Sequence, residues 1–224
     1  MALTKYNYNS FDVTPVASKA MGFNSGANGL TTVTEGDMVL IKTVTASSDS
    51  TLDFLDGTSD VVFDSTYPIY VFKFINIHPA TDRAHFTFQA DTGTNTSYNQ
   101  TITSTFFVAY HDEGDTNANV VYDANYDQAQ GTSFQHLGKE VGSDNDQGCS
   151  GSLTIYQPSS STFAKHFIAT TQVYVAPTSG TDFSQQMFCA GYFNTTTALT
   201  RVQFKMSSGN IDAGQIKLYG IKDS

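Results

Sequence analysis

Apolar side chains recur at every second position through most of the chain, in short runs, and that period admits one class of fold. In RAHFTFQA (83–90), Ala84, Phe86, Phe88 and Ala90 alternate with His85, Thr87 and Gln89, the pattern of a strand with one buried face. Further strand runs are DMVLIKTV (37–44), TSTFFVAY (103–110), GSLTIYQ (151–157), HFIATTQVYVA (166–176) and MFCAGYF (187–193). Near the C-terminus, Val202, Phe204 and Met206 mark one strand and Ile216 and Leu218 the next. SSGNIDAG between them reads as a hairpin loop in which Gly209 and Gly214 reverse the chain, and Gly220 allows a close neighbour. In YVFKFINI (70–77) both parities are apolar except at Lys73 and Asn76. Such a strand is central and covered on both faces, or has one face buried against a partner subunit. Helical spacing is nearly absent. Its best instance is DANYDQAQGTSFQHLGKEVG (123–142), where Phe134 and Leu137 sit three apart; Gly131 and Gly138 limit it to a short turn.

Turn-forming clusters separate the runs: LDGTSD, ADTGTNTS, DEGDTNAN, GSDNDQG, APTSGTD and SSGNIDAG. Short strands at this spacing predict an all-β, antiparallel two-sheet sandwich. Strand and loop lengths fit a jelly roll better than an immunoglobulin domain, whose core expects the Trp that this chain lacks. The first 36 residues read differently, with Phe11, Val16, Met21, Phe23 and Leu30 isolated among Asn, Ser, Thr and Gly. A segment so thin in apolar residues cannot offset its own ordering entropy. It reads as an arm (1–36) that docks on another subunit or wraps its own sandwich (37–224).

Composition narrows the function. Charged residues make up 14% of the 224 residues, about half the usual share, and hydroxyls and amides take their place. This is the habit of β-rich secreted or assembled proteins. The net charge is −10, and the 11 basic residues are scattered, so a nucleic-acid surface is not expected. The longest nearly apolar run, IYVFKFINI, is about half the length of a membrane-spanning helix. MALTKYNYNS lacks the basic-then-apolar layout of a signal peptide. Cys149 and Cys189 read as small buried hydrophobes and not as a disulfide framework.

No motif carries catalysis. A GxSxG elbow and a phosphate loop are missing, Cys149 has no adjacent base, and the acids sit in turns instead of facing each other across strands. No enzyme activity is expected, with a carbohydrate-active enzyme as the distant alternative. Asp112, Glu113 and Asp115 in HDEGD are close enough to hold Ca²⁺, but the full calcium-loop pattern is missing and a solvated loop is the preferred reading. Asp144 and Asp146 are read the same way. The five histidines show no zinc spacing, although His78 and His111 both end strands. Twelve Tyr without Trp is the notable signal. Tyr98, Tyr110, Tyr122, Tyr126 and Tyr192 lie beside Asn, Asp, His or Gly, a mixture suited to packing on sugar or protein faces, the alternative being ordinary sheet decoration.

FKMSSGNIDAGQIKLYGIK (204–222) resembles the C-terminal strands of virion structural proteins from tailed phages of marine bacteria. YPIYVFKFINIHPATD (67–82), AYHDEGD (109–115), DQAQGTSFQ (127–135) and KHFIATTQ (165–172) are similar to the same family, and MALTKYN to the openings of phage fibre and decoration proteins. The resemblance spans residues 37 to 222. It implies a virion protein made in the bacterial cytoplasm, a homo-oligomer of trimer type, attached to other virion proteins by Phe11, Met21, Phe23 and Leu30 of the arm. The implied role is a tail fibre, spike or appendage that meets a host surface glycan or protein. The alternative is a protein that decorates the capsid. No cofactor is implied.

Overall fold

The computed structural model describes residues 36–175, 177 and 180–223, together with the backbone of 21–23 and 30–32. The described residues form strands and no helix. Two short strands, β1 (Met21–Phe23) and β2 (Leu30–Thr32), pair with each other and with neither larger sheet. Of the arm residues named above, Phe11 and Val16 lie outside the described residues, while Met21, Phe23 and Leu30 fall in this small ladder.

Eight strands build the sandwich: β3 (Met38–Thr45), β4 (Leu52–Leu55), β5 (Ile69–Pro79), β6 (Ala84–Thr92), β10 (Gln135–Val141), β11 (Cys149–Tyr156), β14 (Leu199–Met206) and β15 (Ile211–Ile221). The first pairs with the last (β3–β15), the second with the seventh (β4–β14), the third with the sixth (β5–β11) and the fourth with the fifth (β6–β10). This is one long antiparallel hairpin rolled on itself, and the pairs β15–β5 and β14–β6 close it into two sheets. The connectivity is that of a jelly roll. Two insertions widen one sheet only. Between β6 and β10 come β7 (Ile102–Asp112), β8 (Ala118–Tyr122) and β9 (Ala129–Gly131); between β11 and β14 come β12 (Lys165–Val175) and β13 (Phe183–Phe193). The large sheet therefore has nine strands, in the order β3-β15-β5-β11-β12-β13-β7-β8, with β9 on the same edge of β7 as β8; the small sheet is β10-β6-β14-β4.

Strand alternation fills the space between the sheets. Tyr70, Phe72 and Phe74 of β5 and Phe54, Phe86, Phe88 and Phe204 of the small sheet are all buried. Phe204 is the centre of this group. Its ring meets Phe72 at 5.2 Å, Phe74 at 5.4 Å and Phe54 at 6.0 Å edge-on, and stacks on Phe86 at 5.8 Å. Phe88 continues the core beneath the insertion, edge-on to Phe167 at 5.1 Å and Phe193 at 5.9 Å.

A polar latch fixes the first insertion over the small sheet. Gln89 and Asp91 of β6 point away from the core yet are fully buried. Gln89 Nε2 donates to the carbonyls of Gln100, Thr132 and Ser133. Asp91 accepts from the N–H groups of Thr92 and Tyr98 and from the side-chain amides of Asn95 and Gln100, at 2.8 to 2.9 Å. Buried polar groups require such partners, and these anchor both ends of the excursion.

Three expectations from the sequence change. Residues 123–142 hold β9 and β10 and no helical turn: Gln135 and Val141 pair with Phe88 and Ala84 of β6 and Leu137 is buried at a register slip between them, so the three-residue spacing of Phe134 and Leu137 is incidental. SSGNIDAG is not a hairpin loop, since β14 and β15 belong to different sheets and the segment crosses from one to the other. The strand 70–77 is central, as expected, but only one of its faces is buried within the chain; Lys73 and Ile75 are exposed on the other. Gly220 does admit a close neighbour, because a Cβ there would lie 2.3 Å from the ring of Tyr67. Both cysteines are buried and free, and burial pushes each thiol up to about 12.

Phe204→Ala is expected to destabilise the fold by about 4 kcal/mol, and Phe204→Leu by less than half of that, read as the shift of the urea unfolding midpoint. Asp91→Ala leaves four donors unpaired and is expected to cost about 3 kcal/mol in the same measurement.

Candidate functional site

The exposed face of the large sheet carries the site. Within its strands the only carboxylates are Asp112 and Asp212, both near strand ends. The middle of this face is a cross-strand row running from Lys217 and Lys73 through Ser152, Thr170, Phe188 and Phe107 to Tyr122. Phe107 and Phe188 stack at 4.8 Å. Around them Ile168 is 51%, Tyr122 57% and Val120 65% exposed, and Leu40 on the far edge is 50% exposed.

At one end of the strands this face sinks into a trough of about 1110 Å³. Its floor takes one residue after another from adjacent strands: Thr45 of β3, Gln215 of β15, Ile75 of β5, Ser150 of β11, Gln172 of β12, Ser184 of β13 and His111 of β7. The segments 145–148 and 112–113 and residues Asp212 to Gly214 also line it.

Backbone irregularities shape it. The register of β11 against β5 slips between Cys149 and Gly151, and that of β15 against β5 slips on both sides of Ala213. Opposite these slips Asn76 adopts a left-handed φ of 48° and its N–H donates to Ser150 Oγ at 3.0 Å. Bulges at one level in neighbouring strands bend a sheet and turn side chains off its plane. Gly214 makes this possible, because at φ 113° a Cβ would stand 2.5 Å from the carbonyl oxygen of Asn76. Ala46 N–H then donates to the Gly214 carbonyl at 2.9 Å, which ties the edge strand to the bulge.

Side-chain chemistry in the trough is polar with aromatic support. Tyr174 flanks the floor, its hydroxyl donating to Asp182 at 2.7 Å; that carboxylate, with desolvation, raises the phenol to about 12. Phe183 lies at the rim, edge-on to Tyr110 at 6.0 Å. His78 is hydrogen-bonded through Nε2 to the Asp144 carbonyl at 3.2 Å, and its Nδ1 is 3.8 Å from Asp212. Glu113, Asp146 and Asp212 are exposed, and no Lys or Arg lines the space.

The acids of HDEGD separate by role. Asp112 is buried and accepts from the hydroxyl of Thr116 at 2.5 Å, its N–H at 2.8 Å and the N–H of Asn117 at 3.1 Å. These bonds, the Thr116 hydroxyl first, hold its carboxyl below the usual range. Asp115 pairs with His111 at 3.1 Å, and Glu113 faces the trough. Among the described residues no three His, Cys, Asp or Glu side chains converge as a metal site would require.

The five tyrosines singled out by sequence lie in different places. Tyr98 pins the first insertion, its hydroxyl donating to Asp53 at 2.9 Å, and burial first, then that bond, raises it to about 12. Tyr110 lies on the inner parity of β7 and packs against the core. Tyr122 is exposed and its hydroxyl bonds to Asp127. Tyr192 stands beside His166 at 6.1 Å on the outer face, at the end remote from the trough. Tyr126 packs between His136 at 4.8 Å and His85 at 5.3 Å, with the Lys139 ammonium 4.9 Å over its ring. None of the five lines the trough. Gln172 and Tyr174 do, and their parity was readable in HFIATTQVYVA, where they alternate with Val173 and Val175. What the sequence lacked was any sign that this parity opens onto a cavity.

No family model matches the chain, and neither the curated proteins nor the solved structures contain a match to it.

Two outcomes follow. Gly214→Ala combines a left-handed backbone with a backbone clash and is expected to destabilise by about 2 kcal/mol or more, while the amide spectrum changes most around Asn76 and Ser150. His136, desolvated and close to His85, is lowered from 6.5 to about 4. A histidine depressed in the folded state takes up its proton in the unfolded chain first. Its contribution to stability is therefore complete above pH 6.5 and falls away between 6.5 and about 4, by roughly 3 kcal/mol in all. Urea unfolding across that window should show the loss, and His136→Gln should flatten it.

Proposed function

We propose that the chain is a non-enzymatic recognition module of a virion, a tail-fibre, spike or appendage component that contacts the host surface through the trough. One observation carries this reading: seven adjacent strands each give a side chain to a single open trough whose lining mixes amides, hydroxyls, carboxylates and aromatic edges. Amides and hydroxyls match the hydrogen-bonding groups of sugars, and Ile75 and Tyr174 offer apolar surface for sugar faces. The resemblance of residues 37 to 222 to virion structural proteins of tailed phages supplies the biological setting. The arm would join the module to other virion proteins, and a homo-oligomer, of trimer type, would present several troughs at once, raising avidity without new contacts.

A second reading, capsid decoration, is favoured by a different observation. The outer face away from the trough exposes Leu40, Phe107, Val120, Tyr122 and Ile168 and carries few charges, a surface suited to packing between subunits.

Imaging of the particle and the copy number of the protein in it separate the two. A few tens of copies or fewer, on the tail or an appendage, support attachment; hundreds over the head overturn it in favour of decoration. In a direct test, labelled protein should bind intact host cells, and Gln172→Arg, placed on the exposed floor, should weaken that binding at least tenfold with unfolding unchanged. Equal binding by the variant removes the trough from the reading.

A further inference from the structure

Resting on the recognition reading above, we propose that the trough holds an internal stretch of a linear, non-acidic glycan laid across the strands, on the order of five sugar rings long. The length follows from the sheet. The floor runs from Thr45 of β3 to His111 of β7 over six strand-to-strand steps. At about 4.8 Å per step the floor is roughly 29 Å long, far more than one or two rings occupy. Its volume of about 1110 Å³ agrees, lying above the range of pockets that enclose a single small ligand. The course is open along the exposed face, so a chain can lie through it without presenting an end.

The charge class follows from the lining. Three exposed carboxylates reach the trough from three separate segments, Glu113 after β7, Asp146 before β11 and Asp212 in β15. Asp112 is already satisfied by Thr116 and Asn117 and offers little to a ligand. His78 stands 3.8 Å from Asp212 and His111 stands 3.1 Å from Asp115. The ammonium groups of Lys73 and Lys217 belong to the middle cross-strand row of this face and do not line the trough. A uronate or sulfate placed among these carboxylates meets like-charge repulsion from each close neighbour. A chain bearing only hydroxyls and amides meets Gln172, Gln215, Asn145, Ser150 and Ser184 instead.

The test is an array of immobilised linear glucans, mannans and chito-oligosaccharides, with alginate and carrageenan oligomers, each from disaccharide to octasaccharide, probed with the full chain. The expected result is binding confined to non-acidic linear chains, rising from the disaccharide and levelling near five or six rings. The double variant Glu113→Gln/Asp146→Asn should gain several-fold for alginate over the unaltered protein. Equal binding of disaccharides, or alginate bound as well as the neutral chains by the unaltered protein, overturns this inference and leaves glycan recognition standing. Alginate still rejected by the double variant overturns the electrostatic assignment. Silence across the whole array overturns glycan recognition itself.

Discussion

The ring of Phe204 stands where the two sheets face each other, and the rest of the architecture is arranged around that contact. It touches rings from β4 and β6 in its own sheet and from β5 in the opposite one, so it fixes both the distance between the sheets and their relative position. Edge-on and offset ring packing is directional as well as apolar, which makes the cluster a stronger constraint than an aliphatic core of equal area. Phe88 extends it toward Phe167 and Phe193, and this is why the inserted strands β12 and β13 join the large sheet as part of the same core.

That core leaves the large sheet with one face to spare. Five added strands have no counterpart in the small sheet's hydrogen-bond ladder, and the first insertion is held instead by Gln89 and Asp91 from the far side of β6. The result is a broad exposed face on a protein of net charge −10 whose acids are mostly in loops and at strand ends. Acidic charge is concentrated in the loops, while the face carries Lys73 and Lys217 in its middle row and becomes acidic where loops rise beside it. The trough lies at that junction, where bulges in β5 and β15 bend the sheet toward the acidic segments.

The candidate site was only partly legible in the sequence. HDEGD and GSDNDQG drew notice as acidic turns for a cation; both supply walls of the trough, and the carboxylate of Asp112 is spent on its own loop. The tyrosines that looked most like a binding surface are divided between core support, insertion anchoring and two separate parts of the outer face. A tyrosine beside Asn or Asp has the same local signature whether its hydroxyl faces a ligand or, as with Tyr98 and Tyr122, a carboxylate of the same chain.

What the sequence determined by itself was most of the longer strands, though not β10, and, within those strands, which side chains face the core, because side-chain direction alternates with a fixed period set by local geometry. It determined the turns for the same local reason. Only the tertiary structure decided which strands pair. Ile211 lies opposite Pro79 and Gln215 opposite Thr45, contacts between distant parts of the chain that no local pattern encodes. The C-terminal stretch shows the difference most plainly. Its two strands were readable from alternation, yet they face each other across the core instead of pairing, because Phe204 and Leu218 are buried from opposite sheets. The trough is likewise a product of pairing, since it needs slips in neighbouring strands to fall at one level.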